Sequence, residues 1–171
     1  MKSEFSRTFR LDELGGGPRA ISIAAEEGER AALAVRFDLI GIDRLEATAE
    51  LARDGHIVTA TGRLEGEVIQ ACVASGEPVP ARIAEDFALR FVPKGAESDA
   101  DEIELAESDL DQLDYEGFSV DLGEAVAQTM ALALDPFPRA PGAEEKLRAA
   151  GVLGEEDASP FAILKALKDK K

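Results

Sequence analysis

Tryptophan is missing from this 171-residue sequence, and cysteine, histidine and tyrosine each occur once. A single cysteine, Cys72, excludes an internal disulfide and fits a reducing compartment. Cys72 and His56 together are too few for a structural zinc site, which takes about four such ligands. Nucleophilic catalysis needs a nucleophile, a base and an orienting group. His56 follows an Asp-Gly pair and reads as a surface residue. Cys72 reads as a small buried apolar side chain, where free cysteines usually go. Ser75 lacks the glycine pattern of a nucleophile elbow. Long apolar runs are also absent. No stretch approaches the roughly 18 residues that cross a bilayer as a helix. The opening MKSEFSRTFRLDEL has no apolar centre of the kind a signal peptide carries. These absences predict a cytoplasmic, non-enzymatic protein with no cofactor, no metal and no membrane contact; the alternative is an enzyme of unrecognised type, which a deep pocket holding His56 or clustered carboxylates would reveal.

Basic charge is scarce. Nineteen Lys and Arg face 35 Asp and Glu, a formal net charge of -16. Such a balance keeps a protein soluble and repels other polyanions. DNA is therefore not an expected partner, and basic surfaces are. The imbalance peaks from Gly95 to Pro138, which holds 13 acidic residues and no Lys or Arg. Glu97, Asp99, Asp101, Glu102, Glu104, Asp109 and Asp111 are its candidate partner-binding carboxylates. The alternative for this run is a solvated, flexible loop, since charged aromatic-poor segments are often disordered. Calcium does not fit it. A calcium loop starting at Asp99 puts Ile103 and Leu105 at ligand positions, and one starting at Asp109 puts Leu113 there. The candidate cationic contacts lie elsewhere: Arg63, Arg82 and Arg90 on expected strands, and Lys165, Lys168, Lys170 and Lys171 at the end of the sequence. Gly15 to Gly17 have no Lys-Ser/Thr partner and make no phosphate cradle.

Apolar residues make up 45% of the chain, enough for one core. At this length a single domain is the default. Glu4 to Leu11 alternates and reads as a strand, and Ile21 with Ile23 suggests another. Glu26 to Phe37, acidic first and Ala-rich behind, reads as a helix, with Gly41 closing the region. Leu45, Ala47, Ala49 and Leu51 alternate strictly with polar residues. After Asp54-Gly55, Val58 to Val68 alternate again, with Gly62 and Gly66 as bends. Phe87, Leu89 and Phe91 share one face of a third strand, and Ile103 with Leu105 offers an edge strand. Asp121 caps a helix over Leu122 to Leu134, with Leu122, Val126, Met130 and Ala133 on one face, stopped by Asp135-Pro136. Glu144 to Ala150 reads as a short helix, and Ser159-Pro160 as the start of another. The expected architecture is α+β: a bent antiparallel sheet or small open barrel packed by two helices. Residues 1–138 form the domain, and 139–171 form a linker and a mobile, amphipathic basic tail.

One ordered set of segments is more specific. Gly62-Arg63-Leu64 leads to Val68-Ile69-Gln70-Ala71-Cys72-Val73, then Glu77-Pro78-Val79 and Glu85-Asp86-Phe87-Ala88-Leu89-Arg90-Phe91. After the acidic gap come Val120-Asp121-Leu122-Gly123-Glu124 and a helix ending in Leu132-Ala133-Leu134-Asp135-Pro136-Phe137-Pro138, with Ser159-Pro160-Phe161-Ala162 further on. This series resembles the YceD family, the large ribosomal RNA subunit accumulation proteins. The resemblance implies a non-enzymatic role in ribosome biogenesis. Ribosomal proteins or the assembling large subunit are the implied partners, and ribosomal RNA itself is the alternative. Many relatives carry Cys-x-x-Cys at Cys72. Here Ser75 takes the fourth position, so no metal site carries over.

Overall fold

The computed structural model describes residues 3–95 and 111–151. They fall into two compact units. The larger joins Met1–Gln70 to Pro80–Asp135; the smaller joins Ala71–Val79 to the chain beyond Asp135.

The larger unit begins with Phe5, which is completely buried, ahead of the short strand β1 (Thr8–Arg10) and a single 3-10 turn, Leu11–Leu14. The expected strand over Glu4 to Leu11 is thus cut to three residues, because Leu11 and Leu14 turn inward on a helical rather than a period-two spacing. Next come β2 (Arg19–Ala24) and α1 (Glu27–Arg36). Glu26 and Glu29 form a capping box that satisfies free N–H groups at the start of α1. The helix is left through Asp38, at φ 54°, a conformation that aspartate tolerates better than most residues.

Two long strands follow, β3 (Gly41–Asp54) and β4 (Ile57–Ala71). Asp54 pairs with Ile57, so the hairpin loop is Gly55-His56, with Gly55 at φ 58°. A register shift between Ile42 and Arg44 moves the inward parity of β3 from Ile42 to Leu45, Ala47, Ala49 and Leu51. On β4 the inward set includes Val58, Ala60, Leu64 and Val68. Gly62 is forced by close approach: a Cβ there would stand 2.1 Å from the Thr48 carbonyl oxygen. β5 (Pro78–Pro93) buries Ile83, Phe87, Leu89 and Phe91, as the alternation predicts.

The sheet is completed by β6 (Asp111–Tyr115), and its order is β2-β3-β4-β5-β6. β6 runs parallel to β5, Leu89 opposite Asp111 and Pro93 opposite Tyr115. This corrects the antiparallel expectation at one pair: the five strands form a mixed sheet that does not close into a barrel. The expected edge strand at Ile103 and Leu105 lies outside the described residues. A second, two-stranded sheet pairs β1 with β7 (Ser119–Asp121), antiparallel. α2 (Leu122–Leu132) follows at once and buries Leu122, Ala125, Val126 and Met130 in the core. Gly66 leaves room for it, the Met130 side chain lying 4.0 Å from where a Cβ would be.

In the smaller unit, α3 (Ala143–Ala149) follows Gly142, which has φ 78°. Ala140 and Ala143 pack with Cys72, Ala74 and Val79. α3 falls on the short helix expected over Glu144 to Ala150, and α1 and α2 are the two helices of the larger unit.

Candidate functional site: an acidic sheet edge beside an anchored helix start

α2 starts at Asp121, whose side chain accepts from the Glu124 N–H at 3.1 Å. That is the cap expected from sequence. The same carboxylate also accepts from the Arg7 N–H at 2.8 Å and from the Ser6 hydroxyl at 2.6 Å. The N-terminal segment is thereby laid across the first turn of α2. Gly123 permits the contact, since a Cβ there would meet the Phe5 carbonyl oxygen at 2.6 Å and the Arg7 nitrogen at 2.8 Å.

One turn on, Glu124 takes both arms of Arg36, at 2.9 and 2.7 Å. It also accepts from Ser3 Oγ and Gln128 Nε2. Arg36 reaches Glu4 as well, at 2.9 Å. Hydrogen bonds from Arg36, reinforced by Ser3 and Gln128, hold the Glu124 carboxyl down to about 2 against its own desolvation. Arg7 and Glu29 make a second paired fork at 2.7 and 2.8 Å, with the Arg7 guanidinium 4.8 Å from the Phe5 ring centroid. Every one of these carboxylates is committed to holding the fold.

β6 differs. Asp111 and Asp114 are exposed, and neither forms an ion pair or side-chain hydrogen bond with another described residue. Glu116, just beyond the strand, pairs with Lys94 at 2.6 Å, which draws its carboxyl below the ordinary value. Lys94 feels Asp114 only through longer-range attraction. Beside the strand lies a groove of about 250 Å³. Phe91, Leu113, Tyr115 and Ala125 give it apolar walls, and Asp114, Glu116, Asp121 and Glu124 give it carboxylates. Tyr115 is fixed by donating to the His56 carbonyl oxygen at 2.7 Å. After Gly117, at φ 76°, the Phe118 ring stands 83% exposed.

Of the acidic residues singled out in the sequence, Asp111 opens β6. Glu97, Asp99, Asp101, Glu102, Glu104 and Asp109 lie outside the described residues, as do Lys165, Lys168, Lys170 and Lys171. The arginines lie on the sheet. Arg63 pairs with Asp86 at 2.8 Å and Arg82 with Glu67 at 3.4 Å. Arg90 is half-buried on β5, opposite Gln112 in the register. Asp114, Glu116 and the groove were missed from sequence. The alternation of Leu113 and Tyr115 with Asp114 was the available signal.

In the smaller unit Cys72 is buried. Its sulfur accepts from the Ala140 N–H at 3.3 Å, and this bond, with one from Ser75, brings the thiol down to about 7. Glu77 pairs there with Lys146 at 2.6 Å. His56 is exposed in its hairpin loop. Among the described residues no cluster of three or more His, Cys, Asp or Glu could hold a metal ion, and no helix is long and apolar enough to cross a membrane.

The profile of the family described as large ribosomal RNA subunit accumulation protein YceD matches residues 60–168. The chain belongs to the YceD family. The YceD-matched region takes in most of β4, all of β5, β6 and α2, and the Cys72 turn. The partners that complete the α2 anchor, Ser3 to Arg7 and Arg36, lie ahead of it. No curated protein and no solved structure gives a significant match. The YceD description connects the chain with accumulation of large-subunit ribosomal RNA.

Proposed function

We propose that this chain is a non-enzymatic, cytoplasmic factor in ribosome biogenesis that supports large-subunit RNA accumulation by engaging basic assembly partners through an acidic surface. Family membership supplies the process. The observation that supports the acidic surface is the condition of β6, where Asp111 and Asp114 have no basic partner among the described residues. Ribosomal proteins are cationic, and complementary potentials speed encounter and select partners. Direct RNA binding through the sheet arginines is the weaker reading. Arg63 and Arg82 are already engaged by Asp86 and Glu67, among other carboxylates that repel phosphate.

The test is co-sedimentation with assembling large subunits. Asp111→Asn, Asp114→Asn and Glu116→Gln are combined with neutralisation of Asp99, Asp101, Glu102 and Glu104. Association of the parent chain should fall with salt, and the neutralised chain should lose it. Equal sedimentation of the two would remove the acidic surface from the account.

A further inference from the structure

We infer that the outer side of β6 is a docking site for an extended, lysine- and arginine-rich protein segment, which adds to the five-stranded sheet as a further strand. The inference rests on the functional reading above and gives it a mode of binding.

Among the described residues β6 stands last in the sheet order, with β5 as its one neighbour. Along Asp111–Tyr115 the outward backbone groups have no strand partner among the described residues. Proteins blunt such an edge with short strands, charged side chains (above all Lys), Pro, a bulge or a covering element. Here the charges are both acidic, which repels acidic edges and not basic segments. The strand DQLDY has no Lys and no Pro. An open edge of this kind accepts an extended peptide, whose main chain supplies affinity and whose alternate side chains supply specificity.

The two faces of β6 state what those side chains are. Leu113 and Tyr115 turn toward the groove, where Phe91 and Ala125 extend the apolar lining. Of the carboxylates on the groove wall, Asp121 is spent on capping α2 and Glu124 on Arg36. Small apolar side chains suit that face. Asp114 and Glu116, which also border the groove, alternate with Leu113 and Tyr115 along the chain. Alternate cations on an added strand would meet them. Phe118 offers an exposed ring for an arginine to stack on. The opposite edge strand, β2, reads RAISIA: it has no carboxylate of its own, and its Arg19 is paired with Glu13 at 3.9 Å. Charge therefore selects β6 for a basic strand. Nucleic acid has no N–H and C=O ladder to offer an edge and carries the wrong charge.

A dye-labelled peptide of alternating lysine and valine tests this on the full chain, against the same peptide N-methylated at alternate backbone nitrogens. The two have equal charge, but the second cannot donate to a strand. The parent peptide should bind and slow amide exchange across β6 while leaving β2 unchanged. The methylated peptide should bind about tenfold more weakly or worse. Asp111→Asn/Asp114→Asn/Glu116→Gln should weaken the parent peptide similarly while melting at the same temperature as the wild type. Equal binding of both peptides, protection at β2 instead, or pairing of β6 with a second copy of the chain would overturn the inference. So would an oligoribonucleotide that protects β6. If co-sedimentation with large subunits persists under any of these results, the functional reading survives without this mode. If co-sedimentation is absent while the peptide docks on β6, the reading fails and the docking site stands.

Discussion

The first turn of α2 and the edge strand β6 lie a few residues apart in sequence and use the same side-chain chemistry in opposite ways. At Asp121 and Glu124 each carboxylate is saturated by donors, two of them from Ser6 and Arg36 on distant parts of the chain. At Asp111 and Asp114 the carboxylates face water without cationic partners among the described residues. A charge surrounded by donors contributes to folding, because removing it strands what it held. An exposed, unpartnered charge contributes little to stability and is free to act on other molecules. Within one acidic stretch, partnering rather than residue type separates scaffold from surface.

The sharpest way to break this contrast is Gly123→Ala. A Cβ 2.6 Å from a backbone oxygen cannot be absorbed by a rotamer change, so the N-terminal segment must lift away. A loss of about 3 kcal/mol is expected, read as a lower urea midpoint. An unchanged midpoint would show that the segment does not need its seat on α2.

Glu124→Gln comes next. It keeps the shape and removes the charge that Arg36 grips, and should cost about 1–2 kcal/mol after allowance for solvent screening. Its pH signature is specific. The folded carboxyl sits near 2 against an ordinary 4.5. The stabilisation is therefore complete above about 4.5 and is lost as pH falls toward 2. The wild type should converge on the variant across that window, in parallel acid melts. A constant difference between them would assign the effect to packing.

The smallest effect is expected at β6. Asp111→Asn with Asp114→Asn should leave the melting temperature unchanged or slightly raised, since like charges are relieved and no bond is lost. A clear destabilisation in a thermal melt would place β6 with the scaffold and erase the distinction.

Much of the sheet could be read before any coordinates. The inward faces of β3, β4 and β5 follow period-two patterns long enough to fix them, and Asp121 announced its helix through local cap chemistry. What stayed hidden depends on distant partners. β6 has five residues, and its parallel pairing with β5 is a tertiary fact that no local pattern encodes. Phe5 looked like part of a strand, but its burial comes from the seat across α2 rather than from sheet pairing. The Arg36–Glu124 fork joins residues 88 positions apart. Asp111 was identified from charge alone. Its neighbour Asp114 and the groove were not, because an acidic run does not say which of its members the fold leaves unclaimed.

The seat of the N-terminal segment on α2 also sets an order of events during synthesis. β3 and β4 can zip as a hairpin soon after both have left the ribosome, since their contacts begin across two residues. The Arg7–Asp121 bond spans 114 residues. The segment around Phe5 and Arg7 must therefore wait, with Phe5 uncovered, until nearly everything through α2 has been translated. A nascent chain stalled before Asp121 would hold a formed hairpin and an unseated Phe5–Arg7 segment, and that segment is where a chaperone would find it.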